Sequence, residues 1–169
     1  AFPVPVAQIT PAYLPDDKRA GSASRPNHDG DDWQVATGTP VIAVGDADVI
    51  RVVTSPAESD NCGCSIKLRV DDLGDVLYCH LSRVGNFPTG RVTKGTTIGL
   101  SGGDSRDPCS GRSTGPHLHF SLGGSNDSTV YDAFYAQCSG FEGDSASVGP
   151  GGGPGTVSGG VEGDWRNPF

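Results

Sequence analysis

The chain has 169 residues, with 26 glycines, 13 prolines, no methionine and a formal net charge of −8. That length suits one domain with a single core, and so much glycine and proline suits a turn-rich β fold rather than a helical one. The acidity excludes a phosphate-neutralising nucleic-acid binder and a polybasic membrane-surface mode, and no apolar run approaches the ~20 residues that cross a bilayer.

Residues 1–25 carry four prolines and little apolar periodicity, which predicts an extended arm over 1–26 laid on the domain. Asn27-His28-Asp29-Gly30-Asp31-Asp32-Trp33 reads locally as a polar, acidic loop. A strand-like pattern follows from Gly38-Thr39-Pro40, with strands predicted over 41–44 and 49–53 around a turn at Gly45-Asp46. Residues 55–63 read as a polar loop. The next two runs, 65–70 and 76–81, predict a hairpin turning at 71–75. Period-two alternation along its second strand puts Tyr78, His80 and Ser82 on one face and Leu77, Cys79 and Leu81 on the other. This makes Tyr78 a groove wall beside His80. Residues 85–90 form a loop, and 92–100 a turn followed by a short strand. A polar loop over 102–115 delivers the chain into a strand predicted for 117–122. The single helix candidate is 128–138, with Ser128 as N-cap and Gly140 as stop. The sum is a mainly β, antiparallel domain over 27–142, followed by a Gly/Pro/Ser-rich tail over 143–169 whose composition suits a linker.

Five cysteines, Cys62, Cys64, Cys79, Cys109 and Cys138, point to an oxidising compartment, because paired Cys-x-x-Cys knuckles for zinc are absent. The chain is therefore expected to be secreted. The missing methionine and the start at Ala1-Phe2-Pro3-Val4 fit a processed product. Cys109–Cys138 is the first bridge expected, tying the loop before His117 to the helix. Cys62 or Cys64 is open to pairing with Cys79, and the odd count leaves one thiol over.

The chemistry concentrates in the four histidines. His117 and His119 project from one face of their strand, with Leu118 and Phe120 turned to the core. His28 and Asp32 lie four apart in a glycine-containing loop, close enough to share an ion, and His119 supplies a third ligand. Two imidazoles, one carboxylate and an open fourth position form a catalytic rather than a structural zinc pattern, and imidazole favours zinc over calcium or magnesium. His117, beside the cluster but outside it, is matched to accept a proton from a zinc-acidified water. His80 is a second imidazole placed to hydrogen-bond a developing oxyanion.

Five motifs occur in one order: His28-x-Gly30-x-Asp32, Gly38-Thr39-Pro40-Val41-x-Ala43, Tyr78-x-His80-Leu81-Ser82, Lys94-Gly95-x-x-Ile98-Gly99, and Ser113-Thr114-Gly115-Pro116-His117-Leu118-His119-Phe120. Over residues 27–135 the chain strongly resembles the lysostaphin/LytM-like zinc endopeptidases of peptidase family M23. The resemblance implies a groove on an antiparallel sheet of the duplicated-hybrid-motif-like type. It implies one zinc per chain on His28, Asp32 and His119, His117 as general base, His80 as second catalytic histidine, and a substrate groove reaching Thr114 and Gly115. Bacterial peptidoglycan cross-bridges are the implied substrate, cut by a monomer in an antibacterial, wall-lytic role. The competing reading is a catalytically silent wall-binding module of the same fold. Five cysteines depart from the usual pattern of such enzymes, and Asn126-Asp127-Ser128 is a glycosylation sequon that matters only in a eukaryotic host.

Overall fold

The computed structural model describes residues 1–5, 16–55, 57, 60–82 and 87–138. The tail predicted for 143–169 and the helix stop at Gly140 lie outside them. In chain order the described residues form strands β1 (Asp31–Trp33), β2 (Pro40–Ile42), β3 (Ala47–Val53), β4 (Ser65–Val70), β5 (Gly74–Cys79), β6 (Arg91–Val92), β7 (Thr97–Leu100) and β8 (Leu118–Leu122), then helix α1 (Ser128–Tyr135).

Six strands make one antiparallel sheet in the order β1-β8-β5-β4-β3-β6, while β2 and β7 pair separately. The β4–β5 hairpin turns at Asp71-Asp72-Leu73, with Asp72 at φ 59°, and carries the apolar side chains of Ile66, Leu68, Val70 and Val76 into the core. Between Val49 and Arg51 the β3–β4 register shifts, and Ile50, which has no partner in that ladder, is exposed. An extra residue on one strand of an antiparallel pair does this.

β8 divides the molecule. Leu118 and Phe120 point into the core, and Phe120 meets Tyr78 of β5 and Phe134 of α1 with ring centroids 5.4 and 5.9 Å apart. Phe2 from the chain's start packs on Trp33 and Tyr135, and the Ala1 amino group donates to the Val44 carbonyl at 2.7 Å. His117 and His119 point to the opposite face, where the sheet is open. Helix α1 is capped by Asp127 rather than by the predicted Ser128. The Asp127 side chain accepts from the Thr129 N–H at 2.9 Å, and the helix ends at Tyr135 with Ala136 as its C-cap.

Two further predictions fail here. The Cys109–Cys138 bridge is not formed. Cys109 is bonded to Cys64 and Cys62 to Cys79, and Cys138 is the free cysteine. Cys138 lies past the end of α1, its Sγ 3.6 Å from the Phe134 carbonyl and beside the Ala1 amino group. Cys109 belongs to the short 3-10 turn Pro108–Ser110, among the loops at the groove. Tyr78 is not a groove wall either. It is fully buried, and its hydroxyl accepts the Val44 N–H at 3.1 Å. The alternation that linked Tyr78 to His80 breaks because His80 has φ 59°, a left-handed backbone that swings its side chain to the face of Leu77 and Cys79.

Candidate metal centre and active site

Antiparallel register builds the site. Asp32 of β1, His119 of β8 and Cys79 of β5 are directly opposed in one row across three strands, so their side chains share the open face. The segment 31–33, read as an acidic loop, becomes a strand with all three residues buried. Burying two adjacent aspartates requires partners for both. Asp31, on the core side, accepts from Arg19 Nε, the Ala20 N–H and the Tyr135 hydroxyl at 3.2, 2.8 and 2.9 Å. Asp32, on the groove side, faces His28, His119 and Arg25.

His28 Nε2, Asp32 Oδ1 and His119 Nδ1 converge, with separations of 3.1, 3.2 and 2.9 Å. All three residues are buried, and they form a group able to hold a metal ion. The opposite atom of each ligand is engaged. His28 Nδ1 lies 3.1 Å from the Arg19 carbonyl, which can only accept, so Nδ1 carries the proton and Nε2 a lone pair. His119 Nε2 points at Asp29 Oδ1, 3.5 Å away, which leaves Nδ1 the lone pair. Arg25 Nη1 donates to Asp32 Oδ2 at 2.6 Å and leaves Oδ1 free. Carboxylate and carbonyl partners behind ligating histidines are what fixes tautomer and ring orientation in metal sites.

Two lone pairs and a carboxylate oxygen aimed at one point call for a cation. Ligand atoms on a tetrahedral zinc lie about 3.3 Å apart, close to the separations here, so the donor set fits zinc in number, type and spacing. The Asp29 and Asp32 carboxylates also raise the affinity of His119 for a proton, which a bound ion would displace from Nδ1. Burial would lower the pKa of His119, but its hydrogen bonds to Asp29 and Asp32 override this and push it up to about 9. Burial likewise opposes ionisation of Asp32, yet the His119, His28 and Arg25 contacts hold its carboxyl far below the usual range.

The other two histidines stand beside this cluster. His117 Nδ1 donates to the Gly115 carbonyl at 2.8 Å, within a turn held by Ser113 Oγ, and its Nε2 lies 3.7 Å from Asp32 Oδ1. His80 Nδ1 donates to the Ser110 carbonyl at 2.7 Å, and the His80 and His117 ring centroids are 4.7 Å apart. Burial lowers both pKa values, that of His80 to about 4 with help from His117. Both rings are therefore neutral near pH 7 with lone pairs at Nε2. A neutral His80 in this orientation is an acceptor, and the oxyanion donation expected from the sequence requires it to gain a proton first.

All four histidines line one open groove of about 860 Å³, with Thr114, Gly115, Leu77 and the Cys62–Cys79 disulfide also in its walls. The structure thus brings together His28, Asp32, His119, His117, His80, Thr114 and Gly115, and excludes Tyr78. Sequence reasoning missed the orienting partners Arg19, Arg25, Asp29 and Ser110. Of these only Asp29 carried a signal, as a carboxylate between His28 and Asp32.

A model of peptidase family M23 matches residues 26–131. The chain belongs to this family. Peptidoglycan DD-endopeptidase ShyA of Vibrio cholerae is 34% identical over 95 residues, which are 56% of this chain and 20% of that protein. ShyB, a peptidoglycan DD-endopeptidase of the same organism, is 31% identical over 123 residues, 72% of this chain and 26% of ShyB. The chain therefore spans only a fifth to a quarter of the length of these relatives. Among solved structures, the antimicrobial peptidase lysostaphin from Staphylococcus simulans superposes with a TM-score of 0.52 at 30% identity, over 76% of this chain and 51% of that one. A zinc-containing peptidase from Vibrio cholerae gives 0.50 at 27% identity, over 70% and 34%. The mainly antiparallel fold of this M23 domain is thus of the lysostaphin type.

Proposed function

We propose that the chain is a secreted, zinc-dependent endopeptidase that hydrolyses peptide cross-links of bacterial peptidoglycan. One observation carries this reading: three donor atoms of His28, Asp32 and His119 converge at 2.9–3.2 Å in a groove that also presents two neutral imidazoles. The names of ShyA and ShyB supply the substrate class. Two formed disulfides support an extracellular setting.

What zinc supplies when bound is Lewis acidity toward the scissile carbonyl and a water acidic enough to lose a proton near neutral pH. The remaining work belongs to side chains. His117, held by the Gly115 carbonyl, keeps its Nε2 lone pair beside the ligand cluster and accepts the proton of the attacking water. The imidazolium so formed is the acid that returns the proton to the leaving amine. His80, held by Ser110, presents a second Nε2 lone pair in the same groove, an acceptor that helps orient the attacking water toward the scissile carbonyl. Arg25 and Asp29 keep the ligands aimed.

The test pairs zinc content with clearing of purified walls that differ in cross-link, pentaglycine-bridged, aspartate-bridged and directly cross-linked. One zinc per chain and chelator-sensitive clearing of one wall type would identify both the enzyme and its bond. Tight wall binding with zinc but no clearing would instead favour the silent binding module.

A further inference from the structure

Three loops meet around His80, and none of their contacts there belongs to the six-stranded ladder. The His80 N–H donates to the Cys62 carbonyl at 2.8 Å, the Leu81 N–H to the Cys64 carbonyl at 2.8 Å, and the Cys64 N–H to the Cys109 carbonyl at 2.7 Å. The His80 ring is fixed by the Ser110 carbonyl, next to Cys109. Loops 60–64 and 107–112 touch backbone to backbone. A Cβ on Gly63 would fall 2.2 Å from the Cys109 carbonyl oxygen, and one on Gly111 2.5 Å from the Gly63 nitrogen, each at a positive φ besides. The two disulfides staple this assembly. Cys62–Cys79 ties the first loop to the residue before His80, and Cys64–Cys109 ties it to the loop that supplies the ring's acceptor.

His80 itself is held at φ 59°, which is unfavourable for a residue with a β-carbon and persists only where the surroundings over-determine it. The side-chain contacts that orient the metal ligands lie elsewhere, although Cys79 shares the ladder row of His119. His28, Asp32 and His119 are oriented by Arg19, Arg25 and Asp29.

We propose that Cys62–Cys79 and Cys64–Cys109 form a positioning clamp for His80, so that turnover depends on their oxidation state while metal binding does not. The proposal rests on reading the groove as a peptidase site. Reduction is ordered: Cys62 is partly accessible and lines the groove, whereas Cys64 and Cys109 are fully buried. Cys62–Cys79 opens first, taking two electrons and two protons. With a water-soluble trialkylphosphine as reductant, the phosphine acquires the oxygen of a water as phosphine oxide.

The experiment treats the full zinc-loaded chain with the phosphine and, in parallel, uses the C62S/C79S double variant. Alkylation and mass mapping identify which thiols are free. Expected is alkylation at Cys62 and Cys79, one zinc retained per chain, kcat reduced roughly 100-fold, as for a misplaced catalytic group, and KM little changed. Reoxidation restores the wild-type rate. His80→Ala, damaging in the oxidised chain, adds little in the C62S/C79S background. With 15N-histidine labelling, the His80 Nδ1–H signal is protected in the oxidised chain and lost to solvent exchange on opening. Unchanged kcat, additive loss with His80→Ala, an unchanged His80 signal, or zinc lost in step with activity would each overturn the clamp. If the oxidised chain clears no wall, the peptidase reading fails separately, and the histidine signal still decides the clamp.

Discussion

Asp32 and His119 are directly opposed in the β1–β8 ladder, and their side chains meet with Oδ1 2.9 Å from Nδ1. A metal pair set by strand register is rigid, and a one-residue slip of either strand would turn its member of the pair to the core face. Asp32→Ala and His119→Ala are therefore expected to lose stoichiometric zinc, whereas His117→Ala keeps zinc and loses about 10²–10⁴ in kcat. Metal analysis after gel filtration, run beside wall clearing, checks the division. Zinc missing from His117→Ala, or retained in His119→Ala, would contradict it.

Gly30, between His28 and Asp32, is required for space rather than for conformation. A Cβ there would lie 2.6 Å from Cε1 and Nε2 of His119 and 2.7 Å from the Phe120 carbonyl oxygen. The backbone oxygen cannot retreat, so the imidazole must. Gly30→Ala is expected to weaken zinc binding roughly 10- to 100-fold and to cost about 1–3 kcal/mol in stability. Competition against a chromogenic chelator measures the first effect, and wild-type affinity for zinc would refute the argument.

The sequence made the site legible because imidazoles are scarce in it and two of them share a strand face. Strand 65–70 and the β4–β5 hairpin were readable from alternation, and the short strand within 92–100 from the turn that precedes it. Strand β1 was not, because Asp31-Asp32-Trp33 is acidic and its burial depends on Arg19, Arg25, His28 and the distant His119, which alternation within the segment does not reveal. The face of Tyr78 was misread because alternation assumes an unbroken strand, and one left-handed residue, His80, ends it. Cysteine pairing was beyond spacing. The bridges depend on which loops meet, and those loops have no periodicity to place them.

Tyr78→Phe tests that corrected placement. The hydroxyl lies in the core and accepts the Val44 N–H. Its removal leaves a buried donor unpaired, which costs about 1–3 kcal/mol. Urea unfolding should show that loss, while wall clearing by the folded variant stays at the wild-type rate. A stable variant with a changed KM would return Tyr78 to the groove.

The acid sensitivity of the metal-free chain follows from His80. Its folded pKa is pushed down to about 4 by burial and by His117, against an ordinary value of 6.5. Between these two pH values the unfolded chain binds more protons than the folded one, so stability rises with pH across that window and is lost as pH falls through it. The shift corresponds to about 3 kcal/mol. His117, also lowered by burial, acts in the same direction. His119, raised to about 9 by Asp29 and Asp32 against its burial, acts oppositely and weakens the fold only as pH climbs above 6.5. Unfolding free energies of the chelated chain at pH 7, 6, 5 and 4.5 should therefore fall steadily, and His80→Gln should flatten that fall. In the zinc-loaded enzyme the acid limb of kcat/KM is expected below pH 6.5, because His117 must be neutral to accept a proton. An acid limb above 6.5, or an unaltered stability slope in His80→Gln, would show that these imidazoles are more solvated than their burial implies.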